Sequence, residues 1–238
     1  MSGQFEGLKI LVVDDEPDLR EIIKDEFEFE GATVTEAENG RKAFEIFKKE
    51  KFSVVISDIR MPGGDGVSLA RDIKDINFEN PIVVLITGFA DIQSDEAYDF
   101  GVEGFITKPF NLGPIRENIT RLLQDRKTRW AVEVSSVGAS PLKIQDSFHR
   151  LMEEKKVNIG RGGFFIEGQY LNYRVGEKIA FTFSDLEGVG QLNWVRTVSQ
   201  DDYPCGMGIE ILSLKSQKNV ELESVILKLK PRAFIPRK

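Results

Sequence analysis

The apolar positions follow two patterns along the chain, and one gives way to the other near residue 124. Before that point, short apolar runs alternate with stretches at helical spacing. Residues 8–15, LKILVVDD, are apolar and largely β-branched, and they stop on two adjacent carboxylates, Asp14 and Asp15. A run of this kind, bounded by charge and turn signals, reads as a strand buried on both faces. Residues 52–57 form a second such run ending on Asp58, and IVVLI after Pro81 a third ending on Thr87-Gly88. Residues 104–107 are shorter and end on Lys108-Pro109, and Thr33-Val34-Thr35 is a further short strand. Between them lie helical stripes. Glu16-Pro17 opens the first, which carries Leu19, Ile22, Ile23 and Phe27 and ends at Gly31. Ala43, Phe44 and Phe47 mark the second, Val67, Leu69 and Ile73 the third, and residues 92–100 the fourth. Ile115, Ile119, Leu122 and Leu123 mark the fifth, with Asn111 as its cap. Strands alternating with helices predict right-handed βαβ units and a doubly wound parallel sheet, an α/β domain.

After residue 124 the pattern becomes one of short strands separated by Gly and Asp/Asn/Ser clusters. The predicted strands cover residues 130–134, 155–159, 162–167, 177–183, 191–198 and 206–211. Their regular spacing predicts an all-β antiparallel barrel. A stripe of Val220, Val225, Ile226 and Leu229 predicts a C-terminal helix over residues 216–230. The two expected domains are therefore 1–124 and 125–238, joined through a charged stretch with no flexible linker. The basic residues Lys228, Lys230, Arg232, Arg237 and Lys238 read as a solvated tail, and Cys205 as a small core filler.

Composition narrows the function classes. The chain has 238 residues, 41% apolar and 30% charged, which is ordinary for a globular protein. A net charge of −7 argues against a DNA binder that works by phosphate neutralisation. One cysteine rules out an internal disulfide and fits a reducing, cytoplasmic setting. A single histidine, His149, leaves little room for a histidine metal site or a Ser-His-Asp triad. No stretch has the length or apolarity of a membrane span or a signal core.

The chemistry is at the ends of the first-half strands. In an open parallel sheet the C-terminal strand ends share one edge, where ligands bind. Asp14, Asp15, Asp58, Thr87 and Lys108 all fall there. Adjacent carboxylates repel, and a cation removes the repulsion. Hard oxygen donors suit Mg²⁺, which keeps several waters and takes one or two carboxylates plus phosphate. Lys108 offers a point charge and Thr87 a hydroxyl to a phosphoryl oxygen. The set suits phosphoryl transfer to a carboxylate, where catalysis is mostly positioning and charge neutralisation. Singly, each residue also has a plain reading, as a solvated rim, a cap or a turn. A dinucleotide-binding fold needs a G-x-G-x-x-G turn after the first strand, and Asp14-Asp15-Glu16-Pro17 occupies that place.

The stretches LVVDDEP, ISDIRMPGGDG, LITGFAD and GFITKPF together resemble the receiver domain of two-component response regulators, a flavodoxin-like (βα)5 fold. The resemblance implies that Asp58 is the phosphoacceptor. It implies Mg²⁺ ligation by Asp15, Asp58 and the Arg60 carbonyl, with Asp14 helping through water. Thr87 and Lys108 would contact the phosphoryl group, and Thr87 and Phe105 would be the switch pair. The Lys108-Pro109 peptide is often cis in the family, and Gly64 stands where relatives usually have a larger residue. The implied partner is a sensor histidine kinase or phosphotransfer protein, with homodimerisation through the last helices as in relatives. A protein of this kind is a signalling switch rather than an enzyme.

In the second half, Asn158-Ile159-Gly160-Arg161-Gly162-Gly163 lies between two apolar strands, followed by GQLNWVRTV and YPCGMGIEILSL. These resemble the PilZ domain, a small β-barrel family best known for binding cyclic di-GMP. The family motif is an Arg-x-x-x-Arg pair followed by Asp/Asn-x-Ser-x-x-Gly. Asn158 and Gly163 match it, and Gly160 replaces the serine. With Arg129 as the second arginine, Asp125 stands at the first position and Arg126 one place away; Arg126 or Arg161 are the candidates to substitute. The expected ligand residues are Arg126, Arg129, Asn158, Gly160, Arg161 and Gly163. The alternative is an adaptor whose degenerate PilZ-like domain binds only an unidentified downstream protein.

Overall fold

The computed structural model describes residues 3–88, 94–199, 202–215 and 218–238. The predicted helix starts at Ile92 and Ser216, and the Val220 side chain, lie outside what is described. By its contacts the chain divides into two units, Met1–Gln93 with Phe100–Leu123, and Ser94–Asp99 with Gln124–Lys238.

The first-half elements run in strict alternation: β1 (Lys9–Val13), α1 (Pro17–Phe29), β2 (Thr33–Ala37), α2 (Gly40–Phe47), β3 (Val54–Asp58), α3 (Gly66–Ile76), β4 (Ile82–Thr87), α4 (Ser94–Phe100), β5 (Gly104–Thr107) and α5 (Leu112–Leu123). The strands form one parallel sheet in the order β2-β1-β3-β4-β5. This is the flavodoxin-like arrangement, with its topological switch beside β1. β3 is buried throughout and β1 along all but Lys9, as strands covered on both faces must be. Local signals set the helix starts. Pro17 opens α1, while the Asn39 and Asp65 side chains accept the Lys42 and Ser68 N–H groups at 2.9 and 2.8 Å.

One polar feature sits inside this core. Lys74 of α3 is buried and donates to Glu103 at 2.6 Å and to the Pro81 carbonyl at 2.8 Å, and Glu103 accepts the Val83 N–H at 2.8 Å. The pair ties α3 to β4 and to the start of β5, the strands that end on Thr87 and Lys108.

The second half contains α6 (Arg126–Ala131), β6 (Ser140–Lys143), α7 (Phe148–Glu153), β7 (Val157–Ile159), β8 (Gly163–Glu167), β9 (Lys178–Thr182), β10 (Glu187–Arg196), β11 (Gly206–Leu214) and α8 (Lys218–Leu229). Its six strands form one sheet, β6-β9-β10-β11-β8-β7. Four of the five pairings are antiparallel, and β6 runs parallel to β9. Among the described residues no pairing joins β7 back to β6, and the β6–β9 pairing is parallel where the sequence predicts an antiparallel barrel. Among the aliphatic residues of its core sits a group of rings: Phe148 meets Phe164 and Phe183 edge-to-face at 5.3 and 5.1 Å, and Phe164 meets Phe181 at 5.3 Å.

Two sequence expectations fail here, and two elements lie where the sequence predicts none. Residues 130–134 are not a strand: Asp125 caps α6 by accepting the Thr128 N–H and hydroxyl, and Trp130 is buried from a helix. The alternation that looked extended is a buried Trp130 followed by an exposed Val132 just past the helix end. β6 and α7 were not anticipated, being four and six residues long and too short for periodicity to register. Cys205 is only half-buried, beside the Ser199 hydroxyl and the Thr197 carbonyl, not a core filler.

Candidate functional site

β1, β3, β4 and β5 end together, and their terminal residues make a charged edge. β1 delivers Asp14, which is fully buried; its Oδ1 accepts the Glu16 N–H at 2.9 Å. β3 delivers Asp58, 6% exposed, whose Oδ2 accepts the Arg60 N–H at 2.7 Å. From the end of β5, Lys108 Nζ stands 2.8 Å from Asp58 Oδ1, 3.5 Å from Asp14 Oδ2 and 3.2 Å from Glu16 Oε1. The Lys108-Pro109 peptide is cis. Gly66, at the start of α3, lies so close that a Cβ there would stand 2.1 Å from the Asp58 carbonyl oxygen.

Electrostatics at this edge are unbalanced in a telling way. Burial pushes the Asp14 carboxyl above its ordinary pKa, against the Glu16 N–H and Lys108, which pull the other way; the charge of Asp58 adds to the rise. Burial alone would lower the Lys108 ammonium. Its bonds to Asp58 and Glu16 and the charge of Asp14 outweigh that and hold it above the ordinary lysine value. The edge thus holds buried carboxylate charge that gains from added positive charge. Mg²⁺ fits the chemistry of these oxygen donors. Among the described residues no group of three or more Asp, Glu, His or Cys side chains is placed to hold a metal. Two carboxylates, a carbonyl and waters are within what Mg²⁺ accepts.

Asp15 is exposed beside Asp14. The Thr87 hydroxyl, half-buried, donates to the Gly88 carbonyl at 2.7 Å, and Phe105 is half-buried on β5. Gly64 has φ of +136° and would place a Cβ 2.9 Å from the Arg41 nitrogen, so the local backbone disfavours any larger residue there.

In the second unit the six expected ligand residues are only partly gathered. Arg129 and Arg161 are buried, and their guanidinium carbons lie 5.8 and 6.0 Å from the centre of the Phe234 ring. Gly160 and Gly163 form the turn that carries Arg161. Arg126 is half-buried on α6, and Asn158 is paired in the sheet opposite Phe165. Asp125 is the cap of α6, so its acid answers a helix terminus rather than a ligand. Sequence reading missed Ala233 and Phe234. The basic tail hid them: Phe234, Ile235 and Pro236 are buried, and Arg237 is paired with Asp95, so the segment is not simply solvated. The apolar trio between basic residues was the available signal.

The Response regulator receiver domain profile matches residues 10–120. Sporulation initiation phosphotransferase F of Bacillus subtilis (strain 168) is 32% identical over 116 residues, 48% of this chain and 93% of that protein. Transcriptional regulatory protein SrrA of Staphylococcus aureus (strain NCTC 8325 / PS 47) is 27% identical over 158 residues, 63% of this chain; the chain spans 65% of the length of SrrA. Among solved structures, response regulator protein TrrA of Thermotoga maritima, in complex with Mg²⁺-BeF, is 34% identical, with 48% of this chain and 98% of that chain covered at a TM-score of 0.45. Through its first half, the chain belongs to the response regulator receiver family.

Proposed function

We propose that the chain is a phosphorylation-controlled response regulator, a receiver over residues 1–124 acting on an output domain over 125–238. Receiver domains interact with histidine kinases or phosphotransfer proteins, and such a protein is the proposed phosphoryl donor. The observation that carries the reading is the Asp58 carboxylate held between Lys108 Nζ at 2.8 Å and the Arg60 N–H at 2.7 Å. An oxygen of Asp58 attacks phosphorus. The new O–P bond forms as the P–N bond of a phosphohistidine, or the P–O bond of acetyl phosphate, breaks and the leaving group keeps its electron pair. Lys108 neutralises charge on the phosphoryl oxygens, and the Thr87 hydroxyl turns from Gly88 to donate to one of them. Asp15, Asp58 and the Arg60 carbonyl would hold Mg²⁺, with Asp14 acting through water; bound there, the ion supplies charge neutralisation. Thr87 and Phe105 form the switch pair that reports the added charge. With Mg²⁺ and acetyl phosphate, the wild-type chain is expected to acquire an acid-labile label that Asp58→Asn lacks. Undiminished labelling of that variant would place the acceptor elsewhere.

For the output domain, a PilZ-like cyclic di-GMP module is supported by Arg129 and Arg161, both packed near one planar ring beside a run of backbone N–H donors. Guanidinium planes suit both guanine edges and phosphates. The competing reading, a module for protein partners alone, predicts no saturable binding of cyclic di-GMP.

A further inference from the structure

The loop between β7 and β8, residues 160–163, already has an occupant. The Gly160 N–H donates to the Gly163 carbonyl at 2.7 Å, closing a tight turn. Three successive N–H groups then face the C-terminal tail: Arg161 donates to the Ala233 carbonyl at 2.8 Å, and Gly162 and Gly163 both donate to the Phe234 carbonyl, at 2.9 and 3.1 Å. Successive N–H groups converging on one oxygen make the concave donor nest that also takes anionic oxygens. Arg161 Nε donates to the Arg232 carbonyl at 3.1 Å. The buried Phe234 ring has the Arg129 and Arg161 guanidinium carbons 5.8 and 6.0 Å from its centre. Within the same unit, the Tyr98 carbonyl accepts the Phe234 N–H at 2.8 Å and the two rings stack 6.2 Å apart.

The glycines admit this tail. A Cβ on Gly162 would stand 2.1 Å from the Phe234 ring; one on Gly160 would stand 2.5 Å from the Phe234 oxygen and 2.8 Å from the Ala233 oxygen. Neither glycine has a positive φ, so what each supplies is room. Gly160 is also the position at which the chain departs from the Asp/Asn-x-Ser-x-x-Gly motif. Any side chain there collides with the tail.

We infer that residues 231–237 are a resident plug of the 160–163 cradle, with the Phe234 ring where a nucleotide base lies and the Phe234 carbonyl where a phosphate oxygen lies. The inference rests on the cyclic di-GMP reading of the output domain. The cradle binds a planar anionic nucleotide only in the fraction of chains whose tail has left, and the apparent affinity is reduced by that fraction. Gly160 is the substitution that fits the chain to its own tail at the expense of the free ligand.

The test is titration of the full chain with cyclic di-GMP by calorimetry, for wild type, Phe234→Ala and Gly160→Ala. Alanine at 160 adds no hydrogen-bonding group, so a gain there reports tail displacement alone, and it leaves the buried ring in place should Phe234→Ala fail to fold. The plug predicts binding at least about tenfold tighter in each folded variant than in wild type. In wild type, saturating ligand should speed hydrogen exchange of the amides of residues 231–237. Equal affinity in all three chains overturns the plug and leaves the cyclic di-GMP reading standing. No binding by any of them overturns that reading and the plug with it.

Discussion

The edge at Asp58 and the cradle at residues 160–163 are two answers to one problem, holding an anionic group with cations and backbone N–H donors. At the edge, the acceptor is a side chain. Asp58 is fixed by Lys108 and the Arg60 N–H, and its neighbour Asp14 is buried against its preference for charge. The arrangement is unfinished electrostatically, which is what a site for a cation and a phosphoryl group requires. The cradle is finished. Its donors are met by the carbonyls of residues 232–234, and its two arginines pack on an aromatic ring. Similar donors therefore mean readiness in one place and occupation in the other. What separates them is a segment some seventy residues away in sequence, since Arg161 and Arg232 are 71 positions apart.

The largest expected effect tests how firmly the edge is framed. Lys74 and Glu103 are a buried ion pair between α3 and the strands that deliver Thr87 and Lys108. Glu103→Ala leaves the Lys74 ammonium buried and the Val83 N–H without its acceptor. Such a loss costs about 3–5 kcal/mol. Both tryptophans, Trp130 and Trp194, lie in the second unit, so their fluorescence follows that unit while far-UV circular dichroism follows both. In urea, the variant is expected to lose part of its dichroism early while the fluorescence transition stays in place. A small shift of about 0.5 kcal/mol would mean that the pair sets register rather than stability.

Next comes the cation at the edge itself. Lys108→Ala removes the ammonium 2.8 Å from Asp58 Oδ1 and is expected to slow phosphorylation by acetyl phosphate about 10²–10³-fold, the scale for losing one charge-stabilising donor. The cradle should respond differently, because its arginines stabilise a resident segment rather than a developing charge. If Lys108→Ala reacts at the wild-type rate, Lys108 is a resting partner of Asp58 and the contrast between the two sites collapses.

A smaller effect separates two glycines, Gly66 at the start of α3 and Gly160 in the cradle. Gly66→Ala places a Cβ 2.1 Å from the Asp58 carbonyl oxygen and 2.8 Å from the Ser57 hydroxyl, both in a fully buried strand. Overpacking of this kind costs about 1–3 kcal/mol, and the displaced Asp58 should also react more slowly. Alanine at Gly160 meets a terminal segment instead, which can move away. Gly66→Ala is thus expected to lower the urea midpoint of the first unit, and Gly160→Ala to change ligand access with a smaller stability loss. Equal losses would show the tail to be as rigid as β3.

How much of this was legible beforehand differs between the halves for a physical reason. All five strands and five helices of the first half follow from apolar runs and stripes, because buried parallel strands need continuous apolar sequence. Asp14, Asp58 and Lys108 meet where the strand ends predicted. The Lys74–Glu103 pair was not legible, since a charged residue on a helix reads as solvent-facing until its tertiary partner is known. In the second half, β8, β9, β10 and β11 were found from alternation. Trp130 was misplaced because a one-turn-and-a-half helix capped by Asp125 has too few residues to show a period. Phe234 on the glycine loop was invisible for a different reason: nothing local to either segment specifies the pairing.

The smallest effect contrasts two carboxylates, one from each unit. At Asp14 burial prevails and the pKa rises; at Asp185 burial also pushes upward, yet hydrogen bonds prevail. The Ser147 hydroxyl and the His149 ring nitrogen each lie 2.6 Å from Asp185 Oδ2, and the Phe148 and His149 N–H groups donate to the two oxygens at 2.5 and 3.2 Å. Together they hold the Asp185 carboxyl well below its ordinary value of 3.8. A depressed carboxylate contributes stability that is fully present above the unfolded value and lost as pH falls through the folded one. The second unit should therefore weaken as pH drops below about 3.8, with the Phe148 end of α7 loosening first. Asp185→Asn keeps the shape but accepts more weakly. It should cost about 0.5–2 kcal/mol at neutral pH, the range for a lost helix cap, and flatten the acid limb of the tryptophan-monitored transition. An acid limb unchanged in Asp185→Asn would assign that sensitivity to other carboxylates and leave α7 held by Ser147 and its aromatic packing alone.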